Sequence, residues 1–326
     1  MRIHIQNPND DPLFVFSHAQ WDAAAARAGE IARGHEVTLG DTDDDFTTGM
    51  EDAEVLITDL GVALRVFPCR APRLRLIFLT SAGLERLAPY DQLPANATLL
   101  NNSGTHSQKA GEFGIMSVLM LAGGVPQLVT NQRAGTWTKH WGTTVAGKHL
   151  TVVGLGGMGA PIAGWGRKFG MHVTGVRATA TPHPDCDEVI TTAEIDRVLP
   201  TTNYLALACP LTPATRGLMD RRRLGLLPHG AGLMNIGRGG LLDQDALCDL
   251  LDSGHLSGAV LDVFTPEPLP DGHRLWRTAN VIVTPHVSCD DPSTYNARGL
   301  SVLFANLCAW RAGAALPNRV DPARGY

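Results

Sequence analysis

Three short runs in the second half of the chain carry side chains able to do chemistry: "MNIGRGG" with Arg238, "LDVFTPEPLP" with Asp262 and Glu267, and "VIVTPH" with His286. An imidazole transfers protons near neutral pH. A guanidinium is a permanently charged planar fork that matches a carboxylate. Each run lies at or just past the end of an apolar stretch that reads as a strand. Singly, each residue also has a plain structural explanation: Arg238 as a surface cation in a glycine loop, Glu267 as a solvated acid between prolines, His286 as a hydrogen-bonded loop histidine. In doubly wound sheets the carboxyl ends of strands line the ligand crevice, so the three together are expected to face one cleft.

Upstream lies "TVVGLGGMGAPIAGWGRKFGMHVTGVRAT", Thr151 to Thr179, which reads strand, glycine turn, helix, strand. Gly154, Gly156 and Gly159 form G-x-G-x-x-G, which gives a tight turn, close approach of backbone to a pyrophosphate, and close packing of helix on strand. The amides near Gly157 and Met158 at the helix start would hold the anion, helped by the helix dipole. Pro161 sits in the first helical turn, where a missing N–H costs nothing. In this context the turn points to a dinucleotide. An NAD site usually ends the second strand with an acid that accepts hydrogen bonds from the adenosine ribose. Here Arg177 stands there, 18 residues after Gly159, and the next acid is Asp185. With hydroxyls such as Thr179 beside it, Arg177 is suited to the 2′-phosphate of NADP(H). The alternative is an arginine that stacks on the adenine or lies in solvent, with NAD(H) still used.

Short β-rich runs alternate with helical runs almost throughout, the pattern of parallel sheets covered by helices. The first series holds "RIHI", "HEVTL", "EVLIT", "RLIFLT" and "ATLLN", with an alanine-rich helix running to Gly34 between the first two. The second holds "LTVVG", "MHVTGV", "YLALA", "GLMNI", "GAVLDVF" and "NVIVTPH". The fold class is therefore α/β with two doubly wound parallel-sheet domains, and 326 residues suit two cores. The boundaries expected are 1–101 plus 289–326 for one domain and 102–288 for the dinucleotide-binding domain. The long apolar helix from about Ser107 is the expected crossing, and the last helix is expected to return to the first domain.

Composition narrows the class further. Hydrophobic residues are 44% and charged residues 18%, an ordinary globular balance, and a formal net charge of -5 argues against nucleic acid or an anionic membrane as partner. "MRIHIQNPNDDPLF" lacks the apolar run of a signal peptide, and no apolar segment reaches the length of a membrane span. Six scattered cysteines without CxxC fit reduced cytoplasmic thiols. "HPDC", His183 to Cys186, is half of a zinc pattern without its second half, so no metal is expected.

The runs "VVGLGGMG", "CPLTPATRGLMD", "MNIGRGGLLDQDAL", "SGHLSGAVLDVFTPEPLP" and "NVIVTPHVS" together resemble the D-isomer-specific 2-hydroxyacid dehydrogenases, in that family's order, from roughly Asn102 to Ser288. The resemblance implies a flavodoxin-like substrate domain beside a Rossmann domain. It makes His286 the general acid toward a keto oxygen, Glu267 the acceptor on its other ring nitrogen, and Arg238 the clamp on the substrate carboxylate. Asp262 would orient the nicotinamide, and Cys209, Pro210, Thr215, Ile236 and Gly237 would line the cofactor. "LTSAGLERL" resembles the family's glycine loop, so Ser81, Ala82 and Gly83 would hold the substrate carboxylate through backbone amides; a plain strand-to-helix turn is the alternative. His106 and Lys109 face either cleft or solvent. Asp59, Leu60, Arg65 and Trp137 are candidates for the pocket around the substrate's variable group, with packing and solvation as the alternative.

The resemblance also implies a homodimer, through the helix region after Ser107. The leading expectation is an NADP(H)-dependent reductase of a small 2-oxo acid such as glyoxylate or hydroxypyruvate. Two alternatives are an NAD-dependent dehydrogenase of a bulkier or phosphonate-bearing 2-hydroxy acid and, from another class, a dinucleotide-sensing binding protein of corepressor type. An extra C-terminal regulatory domain is not expected in this chain, "TSAGLE" holds no lysine, and long disordered flanks are not expected. Those features belong to phosphoglycerate dehydrogenases, phosphite-oxidising relatives and corepressors, respectively.

Overall fold

The structure, a computed structural model, describes residues 1–8 and 11–322. The last four positions of the segment 289–326 lie outside the described residues. The chain forms two compact units, Met1–Thr105 with Asp291–Tyr326, and His106–Asp290.

The first unit begins β1 (Arg2–Gln6), α1 (His18–Ala28), β2 (Glu36–Gly40), α2 (Asp43–Met50), β3 (Val55–Thr58), α3 (Leu60–Val66), β4 (Leu76–Leu79) and β5 (Thr98–Leu100). The strands pair in parallel in the order β2-β1-β3-β4-β5, the flavodoxin-like arrangement. Every residue of β3 and β4 is buried, as expected of central strands covered on both faces. Helix starts are written locally. Ser17 and Gln20 close a capping box on α1, Thr42 and Asp45 another on α2, and Asp59 caps α3. The alanine-rich helix is shorter than the sequence suggests. Gly29, at φ +65, ends α1 after Ala28, and a 3₁₀ turn over Gly29–Ala32 carries the chain on toward Gly34.

The second unit contains α4 (Ser107–Ala122), α5 (Val125–Arg133), β6 (His149–Val153), α6 (Gly159–Lys168), β7 (His172–Arg177), β8 (Glu188–Thr191), α7 (Ile195–Val198), β9 (Tyr204–Leu207), α8 (Arg221–Leu224), β10 (Ala231–Asn235), α9 (Gln244–Asp252), β11 (Leu256–Leu261) and β12 (Val281–Val283). The sheet order is β12-β11-β10-β9-β6-β7-β8. The order reverses at β6, and the crevice outside the carboxyl ends of the strands at such a point is where ligands bind. Helix α4, expected at a crossing, lies within this unit and buries Ala110, Ile115, Val118 and Leu121 in the core shared with β6, β7 and β10. At Gly114 a Cβ would stand 2.4 Å from Ile162, so only glycine allows α4 to approach α6 this closely.

Strand β8 and helix α5 escape the sequence pattern. β8 is a four-residue edge strand with only Ile190 buried. α5 starts from a left-handed Gly124 and buries only Pro126, so neither shows a periodic apolar face. The last helix, α10 (Tyr295–Arg311), belongs to the first unit and packs its Leu300, Leu303, Phe304 and Leu307 with Ile3, Ile5 and Trp21. No single helix among the described residues is long and apolar enough to cross a membrane. No group of three or more potential metal ligands gathers among those residues.

Candidate active site

The turn after β6 is built by contact. Gly154 adopts φ +96, and a Cβ on it would meet the Cys209 backbone at 2.7 Å. At Gly159, the first residue of α6, a Cβ would stand 1.7 Å from the Gly154 carbonyl oxygen. By contrast a Cβ at Gly156 would meet nothing within 4 Å, and Gly156 and Gly157 are exposed. Helix α6 opens at Met158 without a side-chain cap, so the first-turn amides keep their capacity for an anion. This is open backbone at a helix start, and it fits a dinucleotide pyrophosphate.

Arg177 is the last residue of β7, paired in register with Thr191, and is half-buried. Its guanidinium makes no hydrogen bond or ion pair among the described residues. Thr179 is exposed, its hydroxyl 3.3 Å from that of Thr181. Asp185 lies against Gly164 of α6, with its amide donating to His183 Nδ1 at 3.2 Å.

The loop after β9 is folded by Thr215, whose hydroxyl donates to the Pro210 carbonyl at 2.7 Å and accepts from the Thr212 amide at 2.8 Å. Cys209 is buried, and burial pushes its thiol up to about 12, so it stays protonated and packs.

After β10, Ile236 and Gly237 are buried and both amides donate to the Leu207 carbonyl at 3.0 Å. Asn235 shapes the turn: its Oδ1 accepts from the Gly237 amide at 3.1 Å and its Nδ2 donates to the Arg238 carbonyl at 2.9 Å. The Arg238 guanidinium donates to the Gly237 carbonyl at 2.7 Å. A Cβ at Gly239 would fall 2.0 Å from the Phe264 carbonyl group, so glycine there presses the arginine loop against the loop after β11. Gln244 braces that second loop by donating to the Thr265 carbonyl at 2.7 Å and accepting from its amide at 3.1 Å.

Glu267 and His286, 19 residues apart, meet there. Glu267 Oε1 and His286 Nδ1 share a short hydrogen bond, and Glu267 Oε2 accepts from the Phe264 amide at 3.3 Å. The hydrogen bond to Glu267 raises the His286 pKa above its ordinary value, against burial and the nearby Arg238 charge. Burial pushes the Glu267 carboxyl up. The His286 hydrogen bond and charge outweigh it and leave the group below its ordinary value. The ring is half-exposed, and its Nε2 has no partner among the described residues. An imidazole steadied on one nitrogen by a carboxylate and open on the other has the arrangement that proton transfer requires. Asp262 lies beneath, 1% exposed.

The first unit's glycine loop is held by its carbonyls. Thr80 O accepts from Asn102 Nδ2 at 2.8 Å and from the Tyr295 hydroxyl at 2.6 Å. Ser81 O accepts from the Asn102 amide, and Ala82 O from Asn101 Nδ2, both at 3.1 Å. The Ala82 and Gly83 amides make no hydrogen bond among the described residues, and both residues are half-buried. Other candidates have structural work. Asp59 caps α3, Leu60 packs on the core, and Arg65 pairs with Asp43 at 3.1 Å. His106 is largely buried against Asp290 at 3.3 Å, whereas Trp137 is 98% exposed.

Residues 115–288, more than half of the chain, match the family model of the D-isomer specific 2-hydroxyacid dehydrogenase, NAD binding domain. The chain belongs to the D-isomer-specific 2-hydroxyacid dehydrogenases. It is 30% identical to D-3-phosphoglycerate dehydrogenase of Mycobacterium tuberculosis over 258 residues, 78% of this chain and 48% of that protein. The chain thus spans about half the length of the phosphoglycerate dehydrogenases it matches. A D-isomer specific 2-hydroxyacid dehydrogenase from Xanthobacter autotrophicus Py2, solved with NADPH and MES, is 29% identical and covers 99% of both chains with a TM-score of 0.81. An NADPH-dependent glyoxylate/hydroxypyruvate reductase from Sinorhizobium meliloti, 24% identical over 100% of both chains with a TM-score of 0.77, shares the fold.

The site residues that the sequence does not single out are those that hold others. Asn235 precedes the arginine loop and Gln244 opens α9. Thr284 donates to Asp262 Oδ1 at 2.6 Å. Each is an ordinary polar residue at a strand or helix end, and only its spatial partner distinguishes it. The position of Asn235, directly before "IGRGG", was the one available hint.

Proposed function

We propose that the protein is an NADP(H)-dependent oxidoreductase that reduces a small 2-oxo acid to the D-2-hydroxy acid. The observation that carries the reading is the Glu267–His286 pair on loops locked to the Arg238 turn, all on strand ends of the sheet that bears the glycine turn. The dinucleotide, when bound, supplies the hydride. Gly156, Gly157, Met158 and Gly159 hold its pyrophosphate by backbone, and Arg177 with Thr179 takes the 2′-phosphate. Cys209, Pro210, Thr215, Ile236 and Gly237 form the wall along it. Arg238 pairs with the substrate carboxylate and polarises the keto group. His286, charged through Glu267, gives its proton to the keto oxygen. The backbone amides of Ser81, Ala82 and Gly83 in the first unit are of the kind that hold a carboxylate. The NADPH complex of the Xanthobacter relative supports the choice of cofactor. Glyoxylate and hydroxypyruvate are the first substrates to test.

NADPH oxidation with these acids should proceed at neutral pH and fall as pH rises through the elevated His286 pKa. Glu267→Gln removes the group that raises that pKa, so the descending limb of kcat/KM is expected to move toward lower pH. A limb unmoved by the substitution would remove His286 as the acid. NADPH binding without turnover of any 2-oxo acid would favour a dinucleotide sensor.

The partner is a second copy of the chain. Met116, Leu119 and Leu128 on α4 and α5, with Trp165 and Phe169 at α6, leave a large apolar area exposed, and Trp141 is 82% exposed beside it. A face of this kind is what an isologous dimer covers. Light scattering is expected to give twice the 34.8 kDa chain mass, and Trp141→Glu to return it to the single value. A wild-type monomer at micromolar concentration would refute the dimer.

A further inference from the structure

We propose that Thr284 is a positioning residue, one that holds His286 in place through Asp262. This rests on the reading of His286 as the acid. His286 adopts φ +54, a left-handed conformation rare for residues other than glycine. Something must hold it there, and Asp262 does so from several sides. Its carbonyl accepts from the His286 amide at 2.9 Å. Oδ1 accepts from the Val287 amide at 3.0 Å, and Oδ2 from the Ser288 amide at 3.1 Å. Thr284 closes the set on the other side of His286, its hydroxyl donating to Oδ1 at 2.6 Å.

The side chain of Asp262 is thus spent on the segment that carries the acid. The nicotinamide contact expected of it competes with three donors already present. Asp262 is 1% exposed and pairs with no basic side chain among the described residues. A buried carboxylate needs its donors. Two of them are backbone amides that no substitution removes. The Thr284 hydroxyl is the third and the shortest, a distance typical of charge-assisted bonds. The Thr284 backbone is fixed independently, since its amide donates to the Leu261 carbonyl at 2.9 Å. Removing the hydroxyl alone takes from Oδ1 the shorter of its two donors and leaves the Val287 amide, while the strand end stays in place. The 285–288 turn must then shift to compensate, and it carries the imidazole away from Glu267 and the keto oxygen.

The test compares Thr284→Val, which keeps shape and loses the hydroxyl, with Thr284→Ser, which keeps the hydroxyl. Thr284→Val is expected to lower kcat about 10- to 100-fold, the scale of a misplaced catalytic group, with KM for NADPH within about twofold. Its descending pH limb should move to lower pH as the Glu267 bond loosens. Thr284→Ser should restore kcat to within about threefold. Hydrogen exchange at the Val287 and Ser288 amides should quicken in the valine variant and not in the serine variant. Equal activity and exchange in wild type and Thr284→Val would overturn the proposal. So would equal damage from both variants, which would mean a packing role. If Thr284→Val does not fold, Thr284→Ala provides the same comparison with serine. Exchange is read without turnover. An unchanged exchange pattern therefore defeats the Thr284 role, whereas a wild type inert toward every 2-oxo acid defeats the catalytic reading alone.

Discussion

His286→Ala is expected to lower kcat for 2-oxo acid reduction by about 10²- to 10⁴-fold, the usual worth of a positioned general acid. NADPH affinity should stay nearly unchanged. The loss follows from the geometry. Glu267 holds one ring nitrogen and raises the imidazole pKa, and in the proposed reaction the other nitrogen gives the proton. Among the described residues, alanine leaves Glu267 with the Phe264 amide and the nearby Arg238 charge. The cofactor turn is built from Gly154, Gly159 and Cys209, which do not depend on the ring. Because the two residues act as a pair, His286→Ala combined with Glu267→Gln should be little worse than His286→Ala alone. Steady-state kinetics and NADPH fluorescence titration on His286→Ala, Glu267→Gln and the double variant check this. A His286→Ala enzyme within about tenfold of wild type would assign the proton to another group.

Arg177→Asp is expected to reverse the cofactor preference. A hydrogen-bonded charge pair of this type is worth about 1.5–3 kcal/mol, so its loss should weaken NADPH by about 10- to 150-fold. The carboxylate would add repulsion of the 2′-phosphate. The same carboxylate can accept hydrogen bonds from the ribose hydroxyls of NADH, which should gain. Arg177 is the position to change because it ends β7 and pairs with no acid among the described residues. Asp185 is drawn back toward α6. The ratio of kcat/KM for NADPH to that for NADH should fall below one. A ratio equal to that of wild type would show that Arg177 lies outside the phosphate site. Raised salt should shrink the wild-type NADPH advantage, since the site is partly open to solvent.

Much of this was legible in local pattern. The central strands of both sheets appear as apolar runs because they are buried on both faces, and the edge strand β2 shows instead as an alternating run. The exception is β8, whose four edge residues leave no such run. The glycine turn was legible because its steric demands are local: Gly154 and Gly159 lie five residues apart and touch each other. Helix α1 is shorter than its alanine-rich pattern suggests because Gly29, at φ +65, ends it and a 3₁₀ turn follows.

The sequence by itself therefore determined two α/β series, a dinucleotide turn, an arginine where an acid is usual, and the identities of Arg238, Glu267 and His286. Each of these is encoded by residue type and short spacing. Tertiary structure alone decided that Gly239 abuts Phe264, that Glu267 reaches His286, and that Asp262 gathers Thr284, Val287 and Ser288 beneath His286. These contacts join loops from different strands. They depend on how β10, β11 and β12 register in the sheet, and no local periodicity carries that information.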